Sequence, residues 1–421
     1  MTRSTLMLLA ATAMAVLLAG CQRTQQDGSS SQDGSSSQQQ SGAASINSAG
    51  ACTGSAGADL QQEGRGEVSN GKIAFSRTNA DLTSRIYVID EDGTNETRLT
   101  DNPLGAGGPV WSPDGEQIAF ARRREEPNPT DIYVMDADGT NERPLADNAA
   151  MRFGPTWSPD GKQIAYLRSP AESPGLADDV YMIDENGTNE TRLTQTHSVP
   201  ETSRKLGLPV WSPAGNKIAF SSSAITTTPA SSDSPESAGA ATAPAADMTG
   251  IYVIDVDTAS ICKLTSTAGQ YGDTAAPAWS PDGNKIAFYD KEAINVINTD
   301  GRGQKELTDT VPDLSAPTWA PDGKRIAFVN QADLYVINAD GSGLRPLANT
   351  TENGIFLPDW SPGILPAWSP NGEKIAFPCP AAPGAAGTDI CVINADGTEW
   401  KRIVLKVASK EGPVSVSWGR E

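Results

Sequence analysis

The chain has 421 residues, of which 38% are hydrophobic, with 40 glycines, 30 prolines and a formal net charge of -20. This supplies apolar material for a core and many turns but little for long helices, so an all-β fold is expected. The negative charge excludes nucleic acid and anionic lipid surfaces as natural partners, because both repel such a molecule at long range.

Residues 1–20 read as a lipoprotein export signal. Met1, Thr2 and Arg3 form a short polar start, and the apolar run Leu6–Ala19 suits a signal core but is short for a membrane span. It ends Leu18, Ala19, Gly20, Cys21, similar to the bacterial lipoprotein signal, in which cleavage precedes a cysteine that receives a diacylglycerol. Cys21 is therefore the expected lipid site; an ordinary secretory signal with an accidental cysteine is the alternative. Residues 21–70 are Ser, Gln and Gly with almost no bulky apolar side chain. Such a segment cannot bury enough surface to offset its ordering entropy and is expected to be a disordered tether. As a coil of about 45 residues it spans roughly 35–40 Å.

From residue 71 onward the chain repeats. Trp recurs at Trp111, Trp157, Trp211, Trp279, Trp319, Trp368 and Trp418. Each of the first six is followed by SPDG or a near copy, then a run like IAF, one like IYVID and one like TRLT. The IAF run begins at Ile73, Ile118, Ile164, Ile218, Ile286, Ile326 and Ile375. Every run is short, β-branched or aromatic, and bounded by turn residues, so each reads as a strand. Four antiparallel strands per repeat is the pattern of a propeller blade, which must stack on its neighbours to bury both faces. The first IAF run lacks a Trp strand before it, while Trp418 lacks an IAF run after it. The predicted fold is thus a seven-bladed β-propeller over 71–421, closed by pairing of the C-terminal strand with the N-terminal blade.

Within WSPDG, Ser, Pro, Asp and Gly suit positions i to i+3 of a type I turn. The aspartate is replaced by Ala214 and Asn371 in two copies, which argues for architecture over catalysis or metal binding. The Trp before it is placed to fill the wedge between blades. The DADGTN runs look like the opening of a calcium loop but lack its later glutamate, so hairpin turns are expected.

The unit W-S-P-D-G-x-x-I-A-F followed by I-Y-V-I-D resembles the repeat of the TolB-like propellers, also found in the propeller half of prolyl oligopeptidase relatives. The resemblance covers about Gly71 to Trp418. It implies a propeller in the cell envelope and, by analogy with periplasmic TolB, which binds a peptidoglycan-associated lipoprotein, an envelope protein as partner. TolB itself is six-bladed and carries a preceding α/β domain, whereas this chain has seven units and a tether in that place. The oligopeptidase relatives would need a catalytic α/β domain after the ring and a G-x-S-x-G element, which the sequence lacks.

The first-to-second and third-to-fourth turns lie on one face of the predicted disc and are short. The other connections, 122–130, 169–178, 195–208, 221–249, 349–366 and 378–387, vary widely and lie on the opposite face, the pattern of a binding surface on a rigid scaffold. The candidate anchors there are Arg122, Arg123, Arg124, Arg152, Phe153, Tyr271, Phe356 and Trp360, because exposed Arg and aromatic groups commonly anchor interfaces. Each could instead pack its own loop. Cys379 and Cys391 lie in adjacent strand-like runs and form the best disulfide pair; Cys52 with Cys262 requires the tether to fold back. His197 is the single histidine, so multi-histidine metal sites are not expected, and no catalytic residue, cofactor or metal is assigned. The function expected is a lipid-anchored envelope scaffold that binds protein. Two alternatives stay open: a receptor for a small sugar or peptide in the central channel, left roomy by small residues such as Gly108, Gly154, Ala276 and Ala316 before the inner strands, and a metal-assisted lyase or lactonase.

Overall fold

The computed structural model describes residues 70–420, leaving outside it the segments 80–82, 126–129, 150–153, 170–177, 195–201, 227–248, 267–275, 291–292, 310–314, 331–332, 349–364, 381–387 and 405–415 and residue 148. The expected signal, Cys21, the tether and Cys52 lie outside the described residues, as do Arg152, Phe153, His197, Tyr271, Phe356 and Trp360.

Seven antiparallel sheets form the ring. Blade 1 is ordered Val416–Arg420, Asn70–Thr78, Ser84–Ile89, Thr97–Arg98, from the centre outward. The chain's last described strand is therefore the innermost strand of its first blade, with Trp418 opposite Ile73. Blades 2 to 7 each take their four strands in chain order, beginning at the strands that end in Trp111, Trp157, Trp211, Trp279, Trp319 and Trp368. Blade 4 adds a fifth strand, Thr202–Leu206, on the same long second strand, Lys217–Thr226. In every blade the Trp faces the Ile of IAF, as in Trp111 opposite Ile118 and Trp368 opposite Ile375.

The IAF run works because its period of two points alternate residues at two different neighbours. Ile73 and Phe75 pack with Ala376, Ile390 and Val392 of blade 7, while Ala74 packs beside Trp111 of blade 2. The small alanine leaves room for the next blade's indole. All seven repeat tryptophans are 6–9% exposed and sit in these inter-blade clusters, each ring removing about 150–250 Å² of surface from water.

A hydrogen-bonded belt runs round the centre. Trp157, Trp211, Trp279, Trp319 and Trp368 each donate the indole N–H to the carbonyl of the residue before the preceding blade's Trp, at 3.0–3.3 Å. The belt is interrupted on both sides of blade 1. Trp418 donates instead to Gly71 O of its own blade, at 3.1 Å, and the buried Trp111 indole N–H has no partner. The cause is local. In blade 1 no hairpin turn joins the first two strands, so they continue side by side to Asn70 and Arg420 and bring Gly71 O within reach of the indole.

The SPDG element is the expected turn. Gly115 N–H donates to Ser112 O at 3.0 Å, and Asp114 Oδ1 accepts from the Ser112 hydroxyl and, at 3.0 Å, from Glu116 N–H. Asn371 repeats this with Ser369 and Glu373 N–H, at 2.7 and 2.9 Å, so the turn needs an acceptor oxygen and not a charge. In DADGTN, Asp138 Oδ1 accepts from both the N–H and hydroxyl of Thr140, at 2.9 and 2.6 Å. The Ala137 N–H donates to Glu116 O at 2.8 Å, joining the two turn types on one face.

The small residues before the inner strands do not widen the channel. A Cβ on Gly154 would lie 2.6 Å from Gly108 O, so these glycines let adjacent blades approach, and Ala276 and Ala316 are buried.

Candidate functional site

The ring carries two candidate surfaces, one on its outer rim and one among its inner strands. On the outer rim of blades 1 to 3, an Arg two residues after IAF or IAY lies over the Tyr of the third strand and pairs with a Glu just before the fourth. Arg77 lies 4.5 Å from the Tyr87 ring centre and donates to Glu96 at 2.7 and 2.6 Å. Arg122 lies 4.7 Å from the Tyr133 ring and pairs with Glu142. Arg168 lies 5.3 Å from the Tyr181 ring and pairs with Glu190 at 2.8 Å. Tyr166, which replaces Phe in this blade, also donates to Glu190; burial first, and then that carboxylate, push its phenol above its ordinary range.

Arg122 is therefore held inside its own blade and is not a free anchor. Arg124 pairs with the buried Asp131 at 3.5 Å. Arg123 is exposed beside them, and of the eight residues expected on this face it alone is left without such a tie among those described. Register explains why sequence reading missed the locks: each Arg and its Glu are separated by 19 to 22 residues and meet only once the strands pair.

Blade 7 uses the same column differently. Cys379 stands where blades 1 to 3 place Arg, Cys391 stands where they place Tyr, and the two form a disulfide with Cα atoms 5.9 Å apart. Cys262, on the outer strand of blade 4, is also disulfide-bonded. The glutamate column changes too. At the position of Glu96, Glu142 and Glu190, blade 6 carries Leu344 and blade 7 carries Trp400, respectively 47% and 41% exposed. Arg402 lies 4.8 Å from the Trp400 ring centre and pairs with the buried Asp389 at 3.6 Å. Two adjacent blades thus present large apolar groups where three others present ion-paired acids. Comparing repeat copies one position at a time would have found this pair.

The second surface is a cavity of about 370 Å³ among the inner strands and SPDG-type turns of blades 1, 2, 6 and 7, with Trp111, Thr318, Trp319, Trp368, Trp418 and Arg420 in its wall. Among the described residues no group of three or more His, Cys, Asp and Glu could hold a metal ion.

The family model for the N-terminal region of dipeptidyl peptidase IV matches residues 294–378. No curated protein sequence matches the chain. Solved structures share the propeller fold: a prolyl endopeptidase, at 12% identity and TM-score 0.54, covers 79% of this chain and 48% of its own. An oligogalacturonate lyase in complex with manganese, at 16% identity and TM-score 0.53, covers 78% and 87%. TolB from Acinetobacter baumannii is similar at 18% identity and TM-score 0.46 over 83% of this chain, which spans 66%, just under two thirds, of that protein.

Proposed function

We propose that this chain is a cell-envelope binding protein, not an enzyme, and that its propeller holds a protein partner on the outer rim of blades 6 and 7. The observation that carries this is the exposed pair Leu344 and Trp400 at equivalent positions of adjacent blades. Exposed Trp is a frequent anchor of interfaces, and arginine stacked on its face holds the ring in one orientation. An export signal over residues 1–20, followed by Cys21 and a Ser, Gln and Gly tether, supports presentation of the ring from a membrane by a lipid. The net charge of -20 favours a basic or neutral partner.

The test is affinity capture from native envelope extract with the full chain, beside a variant carrying Leu344→Ser and Trp400→Ser. Both positions are exposed, so the variant's melting curve should match the native one. One protein enriched by the native chain and lost by the variant supports the rim as the docking surface. Identical captured sets from both overturn it, and loss of self-association alone, followed by sedimentation, would replace the partner with a second copy.

A further inference from the structure

Cys262 lies on the outer strand of blade 4, Ile261–Ser266, and is disulfide-bonded. The chain has five cysteines, and Cys379 is bonded to Cys391. Within the chain, the partner of Cys262 is therefore Cys21 or Cys52, both outside the described residues. A cysteine whose sulfur carries a lipid as a thioether has no thiol left for a disulfide. The lipid anchoring proposed above, on which this choice rests, thus leaves Cys52.

Strand register shows where on the ring the bond lies. Cys262 occupies the position held by Arg143, Lys305, Arg345 and Lys401 in blades 2, 5, 6 and 7. Each of these cations donates to a backbone carbonyl in the third-to-fourth turn of the next blade, at Glu185, Asp340, Asp396 and Asp92 respectively. Cys262 therefore stands at the edge of the face that carries the short turns. Asn70, where the described chain begins, is on the same face. It donates to Glu91 in the blade 1 turn at 3.0 Å and accepts from the Asn371 N–H of the blade 7 SPNG turn at 3.4 Å.

We propose that Cys262 is joined to Cys52, so that residues 53–69 form a strap across the turn face between blade 1 and blade 4. The length suffices: these residues reach about 60 Å at full stretch, whereas two blades end to end, each of four strands about 4.8 Å apart, take up about 30 Å. The bond forms by exchange with the disulfide of an oxidised dithiol protein or small molecule. The two cysteine thiols give up two protons and two electrons, and the reagent takes up both and leaves as two thiols. The strap also moves the point from which the tether pulls. Blade 7 packs against blade 1 but lies three places from blade 4 round the ring. Fastened at blade 4, the tether leaves far from the Trp400 rim; released, it leaves at blade 1, beside that rim.

The test is disulfide mapping on the full chain purified from the envelope, alkylated without reductant and digested with trypsin. The peptide ending at Arg65, which contains Cys52, should be joined to the peptide ending at Lys263, which contains Cys262, and the two should separate on reduction. Cys262 joined to Cys21 overturns the strap and the lipid reading together. Alkylated Cys52 and Cys262 beside a lipidated Cys21, or a Cys262 bridge between two copies, overturns the strap alone. A second measurement uses phosphatidylethanolamine–phosphatidylglycerol vesicles and a chain with a specific protease site inserted between Gly64 and Arg65. After cutting, the ring should stay with the vesicles until reductant is added, whereas a Cys262→Ser ring should leave on cutting alone. Release of the ring that keeps Cys262, without reductant, overturns the strap. Failure to bind vesicles before the cut refutes the lipid reading, while mapping still decides the bond.

Discussion

Trp157 donates its indole N–H to the carbonyl of Val110 at 3.1 Å, tying the centre of one blade to the centre of the blade before it. Trp111 occupies the equivalent place one blade earlier and has no such partner. Trp157→Phe and Trp111→Phe remove similar apolar volume from similar inter-blade wedges, but only the first leaves a carbonyl without its donor. In urea titrations Trp157→Phe should cost about 1–2 kcal/mol more than Trp111→Phe. Equal losses would mean that packing alone, and not the belt, joins the blades.

Gly115 and Gly215 separate backbone strain from contact. Their φ angles are +78° and +73°, so alanine is strained at either. A Cβ at Gly215 meets only Pro159 Cδ at 3.6 Å, whereas one at Gly115 would lie 2.1 Å from Arg420 O. Gly215→Ala should cost about 1–2 kcal/mol. Gly115→Ala should cost roughly twice that or more, because the closing strand must move. Hydrogen exchange should show the excess opening in residues 416–420.

The Cys379–Cys391 bridge closes a loop of sequence separation 12. Replacing both cysteines with alanine should lower unfolding free energy by about 2–4 kcal/mol, mainly through the freer unfolded chain. Chemical denaturation of the double variant checks this, and an unchanged midpoint would assign the hold on blade 7 to its core.

Asp160 links a turn to pH. The Ser158 hydroxyl, above all, and the Lys162 N–H hold its carboxyl below the ordinary carboxylate value. A group with a depressed folded pKa contributes stability that is present above the unfolded value of about 3.9 and lost as pH falls through the folded value. Asp160→Asn keeps the acceptor, as Asn371 does in blade 7. It should leave melting near pH 7 little changed and make the decline below about pH 4 shallower. An acid limb identical to that of the native protein would show that this turn contributes nothing to acid denaturation.

Much of the fold was legible because each repeat carries its own turn chemistry. SPDG announces a hairpin, and IAF announces a strand buried on both sides. An unpaired IAF at Ile73 with an unpaired Trp418 implies closure from the sequence alone. The candidate sites were less legible. Arg122 reads as exposed because a charged triplet at a strand end resembles a loop, and only the register that brings Glu142 beside it reveals the lock. Leu344 and Trp400 sit in a short turn that reads as uniform architecture, so their departure from the glutamate column is easily passed over. The cavity depends on residues from four blades, a juxtaposition that no single repeat encodes.

Closure also sets an order of events. Ribosomes make residues 70–98 of blade 1 long before residues 416–420, the strand that completes it. Until that strand arrives, Ile73 and Phe75 lack their Trp418 neighbour and Trp111 faces an unfinished blade. A ring whose first blade waits for residues 416–420 stays open through most of its synthesis, so the early blades stack on one another before the circle can lock.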